Sequence, residues 1–316
     1  APKTEYGDVP QGFGVEDEYE LGKLLYSGTW GRVHIATRRT DVREVVLKTY
    51  ERSTNGAACA RREYETLQAL SHPGLPRALE WIDGPVHPAL ALELLPGISM
   101  AAWAQARLPS IQDFLHVAAQ LATILQAVHQ ARILHRDVTP ANILIEPGTR
   151  RAFLIDFGIA IRLGAATPTA TGGERVRHFE GTARYVAPEQ TGKINHGCDF
   201  RTDLYALGGS LYFALTGRPP LDGRTRDELI HAHIARIPVP PSELRPEIPS
   251  AVSRLVEKLL RKEPAERYQS ARALRSDLCA MIEELERCGE IDPEFGLGSD
   301  DAPDRPRFPA RLHGRE

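Results

Sequence analysis

The segment ILHRDVTPANILI, residues 133–145, places an acid and an amide between two apolar runs. Asp137 can accept a proton from a hydroxyl group, and the oxygen of Asn142 can bind a hard cation such as Mg²⁺. Arg136 stands beside the acid, and Thr139 stands between the two groups, where a cation would help to hold an anionic substrate. The segment is therefore a candidate loop for proton transfer next to a metal ion.

A carboxylate and a lysine stand at the ends of two other apolar runs. Asp156 follows the run 153–155 and precedes a flexible glycine, which suits a Mg²⁺ ligand. Lys48 ends the run 45–47, so its stem would be buried and its ammonium would need a partner or an anionic ligand. Glu63, on the next predicted helix, is the expected partner.

Two glycines, Gly28 and Gly31, lie between two predicted strands. Glycine allows the backbone to approach a ligand closely, so that N–H groups can face an anion. A glycine pair is also common in ordinary hairpin turns. Followed by Lys48 and the acids described above, the pair indicates a site for a phosphate-containing ligand and Mg²⁺.

The elements around these groups change character at the break Leu95-Pro96-Gly97. Before the break, short β-rich segments alternate with turns and predict a small sheet with one helix. After the break, apolar residues recur at helical spacing and predict a mostly helical region. The predicted strands are 20–25, 33–38, 44–50, 79–82 and 89–94, with a helix at about 56–70, and the later helical stripes cover 111–128, 204–215, 252–259 and 274–282.

Charge and cysteine spacing limit the classes of partner and compartment. The net charge of −3 gives no electrostatic reason to expect nucleic acid as a partner. The four cysteines have no metal-ligand spacing and are expected to be free thiols in a reducing compartment. The sequence shows neither a signal peptide nor an apolar run of about 20 residues, so a cytoplasmic protein without a membrane span is expected.

These motifs, in this order, resemble a eukaryotic-type (Hanks-type) Ser/Thr protein kinase domain from about residue 19 to residue 289. Later landmarks agree: Asp203 matches a buried aspartate of the family, and Arg267 would pair with Glu189 of an Ala-Pro-Glu motif. The resemblance implies an α+β, bilobal protein kinase fold, with a small β-rich N-lobe, one main helix and a larger, mostly helical C-lobe. The implied division is a flexible lead-in (1–17), the N-lobe (18–95), the C-lobe (96–288) and a linker toward a further domain (289–316).

The resemblance also implies a chemistry, the ATP- and Mg²⁺-dependent transfer of a γ-phosphate to Ser/Thr hydroxyls. Asp137 would be the catalytic base, and Lys48, fixed by Glu63, would hold the α- and β-phosphates. Asn142 and Asp156 would bind Mg²⁺. The other implied nucleotide-binding positions are Gly28 and Gly31 over the phosphates, Val33, and Glu93 and Leu95 in the hinge after the gatekeeper Leu92.

Arg136 has an implied regulatory role, because an arginine beside the catalytic aspartate is commonly satisfied by a phosphate on the activation segment. Residues 164–182 would form that segment. Autophosphorylation is predicted at one or more of Thr167, Thr169 and Thr171, whereas Thr182 would face the substrate and the catalytic loop.

Two departures from the family pattern bear on the rate. Tyr26 replaces the first loop glycine and would stiffen the loop. Thr139 replaces the lysine that Ser/Thr kinases place two residues after the aspartate, and Ala141 excludes the arginine that tyrosine kinases use. Losing one positioned charge lowers a rate by about 10²–10³ unless magnesium or another basic group replaces it.

Two other interpretations remain open: an ATP-binding pseudokinase or scaffold, and an interaction module of a larger signalling protein. The intact lysine, glutamate, two aspartates and asparagine argue against a pseudokinase. Segments 195–203 and 309–316 resemble the N-terminal kinase modules of large bacterial multidomain signalling proteins, which often lack the catalytic-loop lysine. That resemblance implies downstream ATPase and sensor domains, and it makes Thr139 a trait of a subfamily.

Overall fold

The computed structural model describes residues 14–28, 31–51, 56–84, 87–163, 182–194 and 196–301. The chain divides into two compact units. The first unit runs to Pro96 and also takes in Asp156–Ala160, and the second contains the rest of the chain from Gly97. The first is built on an antiparallel sheet and the second is mostly helical, which confirms the predicted α+β, bilobal fold class.

Five strands form the sheet of the first unit: β1 (Tyr19–Gly28), β2 (Gly31–Arg38), β3 (Arg43–Tyr50), β4 (Ala78–Ile82) and β5 (Ala89–Glu93). They are antiparallel, in the order β1-β2-β3-β5-β4. Val45 and Leu47 alternate along β3 and are fully buried, so one face of the sheet forms the core. A single long helix, α2 (Gly56–Gln68), packs against β3, β4 and β5 within the described part of this unit.

A short helix, α1 (Gly14–Glu18), precedes β1. Its Val15 packs with Tyr19 in the core of the sheet, and the Tyr19 hydroxyl donates a hydrogen bond of 2.7 Å to Glu80. The structure thus differs from the expected flexible lead-in at residues 14–17, because the apolar side chain of Val15 is buried. Residues 1–13 lie outside the described residues.

The helices described in the second unit are α3 (Met100–Ala106), α4 (Ile111–Gln130), α5 (Phe200–Thr216), α6 (Arg226–Ala235), α7 (Pro241–Leu244), α8 (Ser250–Leu259) and α9 (Ala271–Cys288). The short strands are β6 (Ile98–Ser99), β7 (Ile133–Leu134), β8 (Ile143–Ile145), β9 (Ala152–Leu154) and β10 (Ile161–Arg162). Strand β8 pairs with β6 and β9, and β7 pairs with β10. None of the helices in the described ranges is both long and apolar enough to cross a bilayer.

Helix α5 is buried on all sides from residue 202 to residue 215. The Asp199 side chain caps its first turn by accepting a hydrogen bond of 2.9 Å from the backbone N–H of Arg201. Gly217 ends the helix with φ of 72°, a left-handed conformation that glycine adopts without steric cost. The helix thus ends one residue after the predicted apolar stripe 204–215.

The predicted pair of Arg267 and Glu189 is also confirmed. Arg267 Nη1 and Nη2 donate to the two Glu189 oxygens at 2.7 and 2.9 Å, and both side chains are almost fully buried. The other guanidinium hydrogens go to the carbonyl oxygens of Arg201, Arg261 and Lys262. A buried ion pair is tolerated only when such additional hydrogen bonds are made, so this pair ties the segment after residue 187 to the body of the unit.

The described part of the predicted linker, residues 289–301, packs on α8 and α9. Ile291 is buried, and the Gly298 N–H donates to Asp277 at 2.7 Å. Asp301 accepts from the Gln269 N–H at 2.8 Å. These contacts fix the segment on the second unit as far as residue 301, and residues 302–316 lie outside the described residues.

Candidate active site

Lys48 lies near the end of β3, where strand register sets its neighbours. It pairs with Val33 of β2 and with Leu90 of β5. Its Nζ lies 2.7 Å from Oε1 of Glu63 and 2.8 Å from Oδ1 of Asp156. The predicted Lys48–Glu63 ion pair is present, and the structure adds Asp156 as a second partner.

Two carboxylates share one ammonium in this cluster. Burial alone would lower the pKa of Lys48, but the charges of Asp156 and Glu63 outweigh burial and raise that pKa well above its ordinary value. Burial raises the pKa of Glu63. The charge of Lys48 opposes this rise, and the charge of Asp156 adds to it. Lys48 therefore stays charged, and the cluster carries more negative than positive charge, which favours a further cation.

The Asp156 side chain is the exposed member of the cluster, at 44% exposure against 1% for Glu63. Its φ of 68° is uncommon for a residue other than glycine. Hydrogen bonds to Oδ1 from Lys48 and from the Gly158 N–H hold the turn. An exposed carboxylate in a cluster with excess negative charge fits the oxygen ligands that Mg²⁺ prefers.

Gly28 and Gly31 face each other across the β1–β2 hairpin. Gly31 has φ of 153°, and a Cβ there would collide with the carbonyl oxygen of Thr49. A Cβ at Gly28 would collide with the ring of Tyr26, an exposed side chain. The backbone therefore requires glycine at position 31, whereas the exposed Tyr26 ring can move away from a side chain at position 28. The residues between the two glycines lie outside the described residues.

The predicted hinge follows the end of β5. Leu92 is buried and pairs with Val46 of β3, and the Glu93 N–H donates to the Arg77 carbonyl at 2.9 Å. Leu95 is half-buried, and its N–H and C=O make no hydrogen bond within the described residues. A flat heterocycle can use such peptide groups for recognition.

In the second unit, Asp203 of α5 anchors the loop that carries Asp137. Its Oδ2 accepts from the His135 N–H and from His129 Nε2, each at 2.9 Å, and its Oδ1 accepts from the Arg136 N–H at 2.7 Å. Burial alone would raise the pKa of Asp203, but the hydrogen bond from His129 and the nearby charges hold it below its ordinary value. The predicted burial of this aspartate is confirmed, and its hydrogen bonds anchor the loop.

Arg136 has a backbone φ of 70°, which is held from two sides. Asp203 binds its N–H, and Gln190 Nε2 donates to its carbonyl oxygen at 3.0 Å. Such conformations persist where the surroundings fix them and are frequent at functional sites. The predicted regulatory partners of Arg136 (Thr167, Thr169 and Thr171) and the side chain of Thr182 lie outside the described residues.

Asp137 and Asn142 are joined within the loop. Asn142 Nδ2 donates to Oδ2 of Asp137 at 2.7 Å and to its backbone carbonyl at 3.1 Å. Because both partners are acceptors, the amide nitrogen must face Asp137, and the amide oxygen must point elsewhere. That oxygen has the chemistry of a Mg²⁺ ligand. Between the two residues, Thr139 is buried, with 5% of its surface exposed.

The predicted site residues fall into two groups, one in each unit. Lys48, Glu63 and Asp156 meet in the first unit, whose sheet also carries the hairpin glycines and the residues before the hinge. Asp137 and Asn142 meet in the second unit, with Arg136 next to them in the chain.

Comparison with known proteins decides the family. The sequence profile described as "Protein kinase domain" matches residues 19–279, a span that contains all of these groups. The chain belongs to the protein kinase family. Protein kinases generally use ATP and Mg²⁺, and relatives of this chain are named serine/threonine-protein kinases.

Three relatives of this kinase domain come from bacteria. Serine/threonine-protein kinase PknB of Mycobacterium tuberculosis is 32% identical over 274 residues, which are 84% of this chain and 43% of the relative. PknB of Mycolicibacterium smegmatis is 32% identical, over 85% and 44% of the two chains. A probable serine/threonine-protein kinase of Corynebacterium efficiens is 35% identical, over 84% and 41%. The chain thus spans less than half the length of the curated relatives that it matches.

The sequence did not predict the positioning roles of three residues of the kinase domain. His129 holds Asp203, Tyr50 donates from its hydroxyl to Glu63 Oε2 at 3.2 Å, and Ser210 of α5 donates to the carbonyl oxygen of Val138 at 2.8 Å. Ser210 and Val138 are fully buried and lie 72 residues apart in the chain. For His129 and Ser210 the available signal was a polar residue within an apolar segment, since a buried polar group requires a partner. Tyr50 is flanked by polar residues and gave no such signal.

Ser210→Ala tests whether this hydrogen bond positions Asp137, the residue before Val138. Loss of one buried hydrogen bond should destabilise the domain by about 1 kcal/mol and displace the loop, so kcat should fall roughly tenfold. The KM for ATP should stay unchanged. Steady-state kinetics and thermal unfolding are the measurements.

Ser253→Ala is the matched control, because Ser253 is also a buried helical serine and bonds Glu257 instead of the loop. It should lose stability without a change in kcat. An equal kcat in Ser210→Ala and the control would contradict a positioning role for Ser210.

Proposed function

We propose that this kinase domain transfers the γ-phosphate of ATP to serine or threonine hydroxyls of protein substrates. The observation that carries the proposal is the cluster of the first unit, in which Glu63 and Asp156 hold Lys48 in its charged form. Phosphoryl transfer passes through a loose transition state, so positioned charges supply most of the catalysis. A fixed ammonium is such a charge.

The nucleotide would be held mainly by the first unit. Lys48 would bind the α- and β-phosphates, as the corresponding lysine does in other protein kinases. Gly28 and Gly31 keep side chains away from the hairpin tip, and Val33, next to Lys48 in register, would lie against the base. The Leu95 peptide, which lacks a hydrogen bond within the described residues, and the Glu93 peptide would recognise adenine.

Asp156 and Asn142 would bind the magnesium ion. The Asp156 carboxylate is exposed, and the Asn142 amide oxygen points away from Asp137, so both offer ligand oxygens. A magnesium ion held by these residues would supply positive charge to neutralise the phosphates of ATP. In addition to this ligand role, Asn142 fixes the carboxylate of Asp137 through the hydrogen bond from its amide nitrogen.

Asp137 would act on the acceptor hydroxyl. Its carboxylate would orient the serine or threonine oxygen and take its proton as that oxygen bonds to the γ-phosphorus, while the bond from the γ-phosphorus to the β,γ-bridging oxygen breaks and ADP leaves. The hydrogen bond from Asn142 and the loop anchored by Asp203 support this orientation.

The kinase domain would act within a longer chain that carries further domains, since the relatives are more than twice as long as the matched region. Residues after 301 would connect the kinase domain to a downstream domain.

Incubation with γ-labelled ATP and Mg²⁺ tests the proposed function. Label should enter protein serine or threonine, and Lys48→Met and Asp156→Asn should each lower the rate at least about 10²-fold, since each removes a positioned charge. Lys23→Met, at an exposed position of β1, is the matched control and should transfer normally. ATP binding without transfer would instead identify a pseudokinase.

Regulation by the activation segment is a further part of this proposal. Asp203 and Gln190 fix Arg136 at the backbone, which supports a role for its guanidinium in binding a phosphothreonine of that segment. Active enzyme incubated with ATP should carry phosphate at one or more of Thr167, Thr169 and Thr171, as peptide mass spectrometry would show. Active enzyme with no phosphate in this segment would contradict the hypothesis.

Thr139→Lys tests whether the missing cation limits the rate. If no other group supplies it, kcat should rise by up to about 10²–10³, the usual effect of one positioned charge. Thr139→Met is the control, because it adds similar length without charge at this buried position. A kcat that is equal in both variants would show that the charge is supplied elsewhere.

A further inference from the structure

The Glu63 carboxylate divides its hydrogen bonds between its two oxygens. Oε1 accepts from Lys48 Nζ at 2.7 Å and from the Phe157 N–H at 3.2 Å. Oε2 accepts from the Tyr50 hydroxyl at 3.2 Å, and this is its sole donor within the described residues. Tyr50 thus completes the hydrogen bonding of the Glu63 side chain, which is 1% exposed.

The backbone of Tyr50 is fixed independently of Glu63. Tyr50 is the last residue of β3 and pairs with Gly31 of β2. Its N–H donates to the Pro88 carbonyl at 2.9 Å, and its own carbonyl lies 3.2 Å from Nδ1 of His87. The hydroxyl is therefore presented to α2 from a strand held on both sides.

The chemistry of the cluster gives this hydroxyl a specific task. The Lys48 ammonium donates hydrogen bonds to both Glu63 and Asp156, so its charge is divided between two carboxylates. A buried carboxylate oxygen without a donor is strongly unfavourable, and the carboxylate would turn or move to find one. Burial and the charge of Glu63 raise the pKa of Tyr50 well above its ordinary value, so its hydroxyl keeps the proton that it donates.

We propose that Tyr50 is a positioning residue, which locks the Glu63 carboxylate and thereby α2 in the arrangement that aims Lys48 at the phosphates of ATP. It acts through Glu63 and does not touch the nucleotide. The nucleotide part of this inference rests on the proposed function, whereas the effect on α2 does not.

Tyr50→Phe removes the hydroxyl and keeps the ring. Amide hydrogen exchange of residues 56–68 in the nucleotide-free protein should accelerate roughly tenfold. The reason is that α2 opens locally more often when a hydrogen bond to a charged group is lost. The KM for ATP should rise by a similar factor of about ten, while the KM for the protein substrate stays unchanged. Tyr64→Phe is the matched control, because Tyr64 is also half-buried, neighbours Glu63 in α2 and makes no hydrogen bond within the described residues.

A double-mutant cycle with Glu63→Ala isolates the interaction. When Glu63 is absent, Tyr50→Phe should change the exchange of α2 by less than about twofold, because the hydroxyl then has nothing to position. Unchanged α2 exchange in Tyr50→Phe, or an equal acceleration across the whole first unit, would overturn the proposal. Failure of the proposed function would appear differently. Tyr50→Phe would still accelerate the exchange of α2, but the wild-type protein would transfer no phosphate.

Discussion

The hydrogen bonds to the buried carboxylate of Asp203 are the interaction on which the loop that carries Asp137 depends. A charge without access to water must be satisfied by donors, and Asp203 takes them from the His129 side chain and from two successive N–H groups of the loop. The second of these belongs to Arg136, whose positive φ would be unfavourable without that bond. Because Asp137 is the next residue, its direction follows from the requirement to satisfy Asp203.

The same constraint recurs at two other buried carboxylates. Glu63 is satisfied by an ammonium, an N–H and a hydroxyl, and Glu189 by a guanidinium and the hydroxyl of Thr202. In each case the donors come from at least two separate segments of the chain, so satisfying one charge fixes several segments together. Buried ion pairs add little net stability, but breaking one is strongly destabilising, and this makes them suitable for holding a site in one geometry.

Much of the fold could be predicted from local pattern. The five strands of the first unit agree with the predicted ones to within a few residues at their ends, and α4, α5, α8 and α9 follow the predicted apolar stripes. Helix α6 and the two-residue strands had too few apolar residues at regular spacing to be recognised. The segment 289–301 was expected to be a linker because it is acidic and rich in proline and glycine, yet Ile291 and backbone hydrogen bonds to α8 and α9 fix it.

The sequence by itself determined which chemical groups are present and in which order, and that order identified Lys48, Glu63, Asp137, Asn142 and Asp156 as the candidate site. It also allowed the Lys48–Glu63 pair to be predicted, because a buried lysine requires an acid. Only the tertiary structure decided the positioning partners: Tyr50 for Glu63, His129 for Asp203 and Ser210 for Val138. A hydroxyl or imidazole can bond many groups, and its partner is chosen by packing between elements that lie far apart in the chain, which no local spacing records.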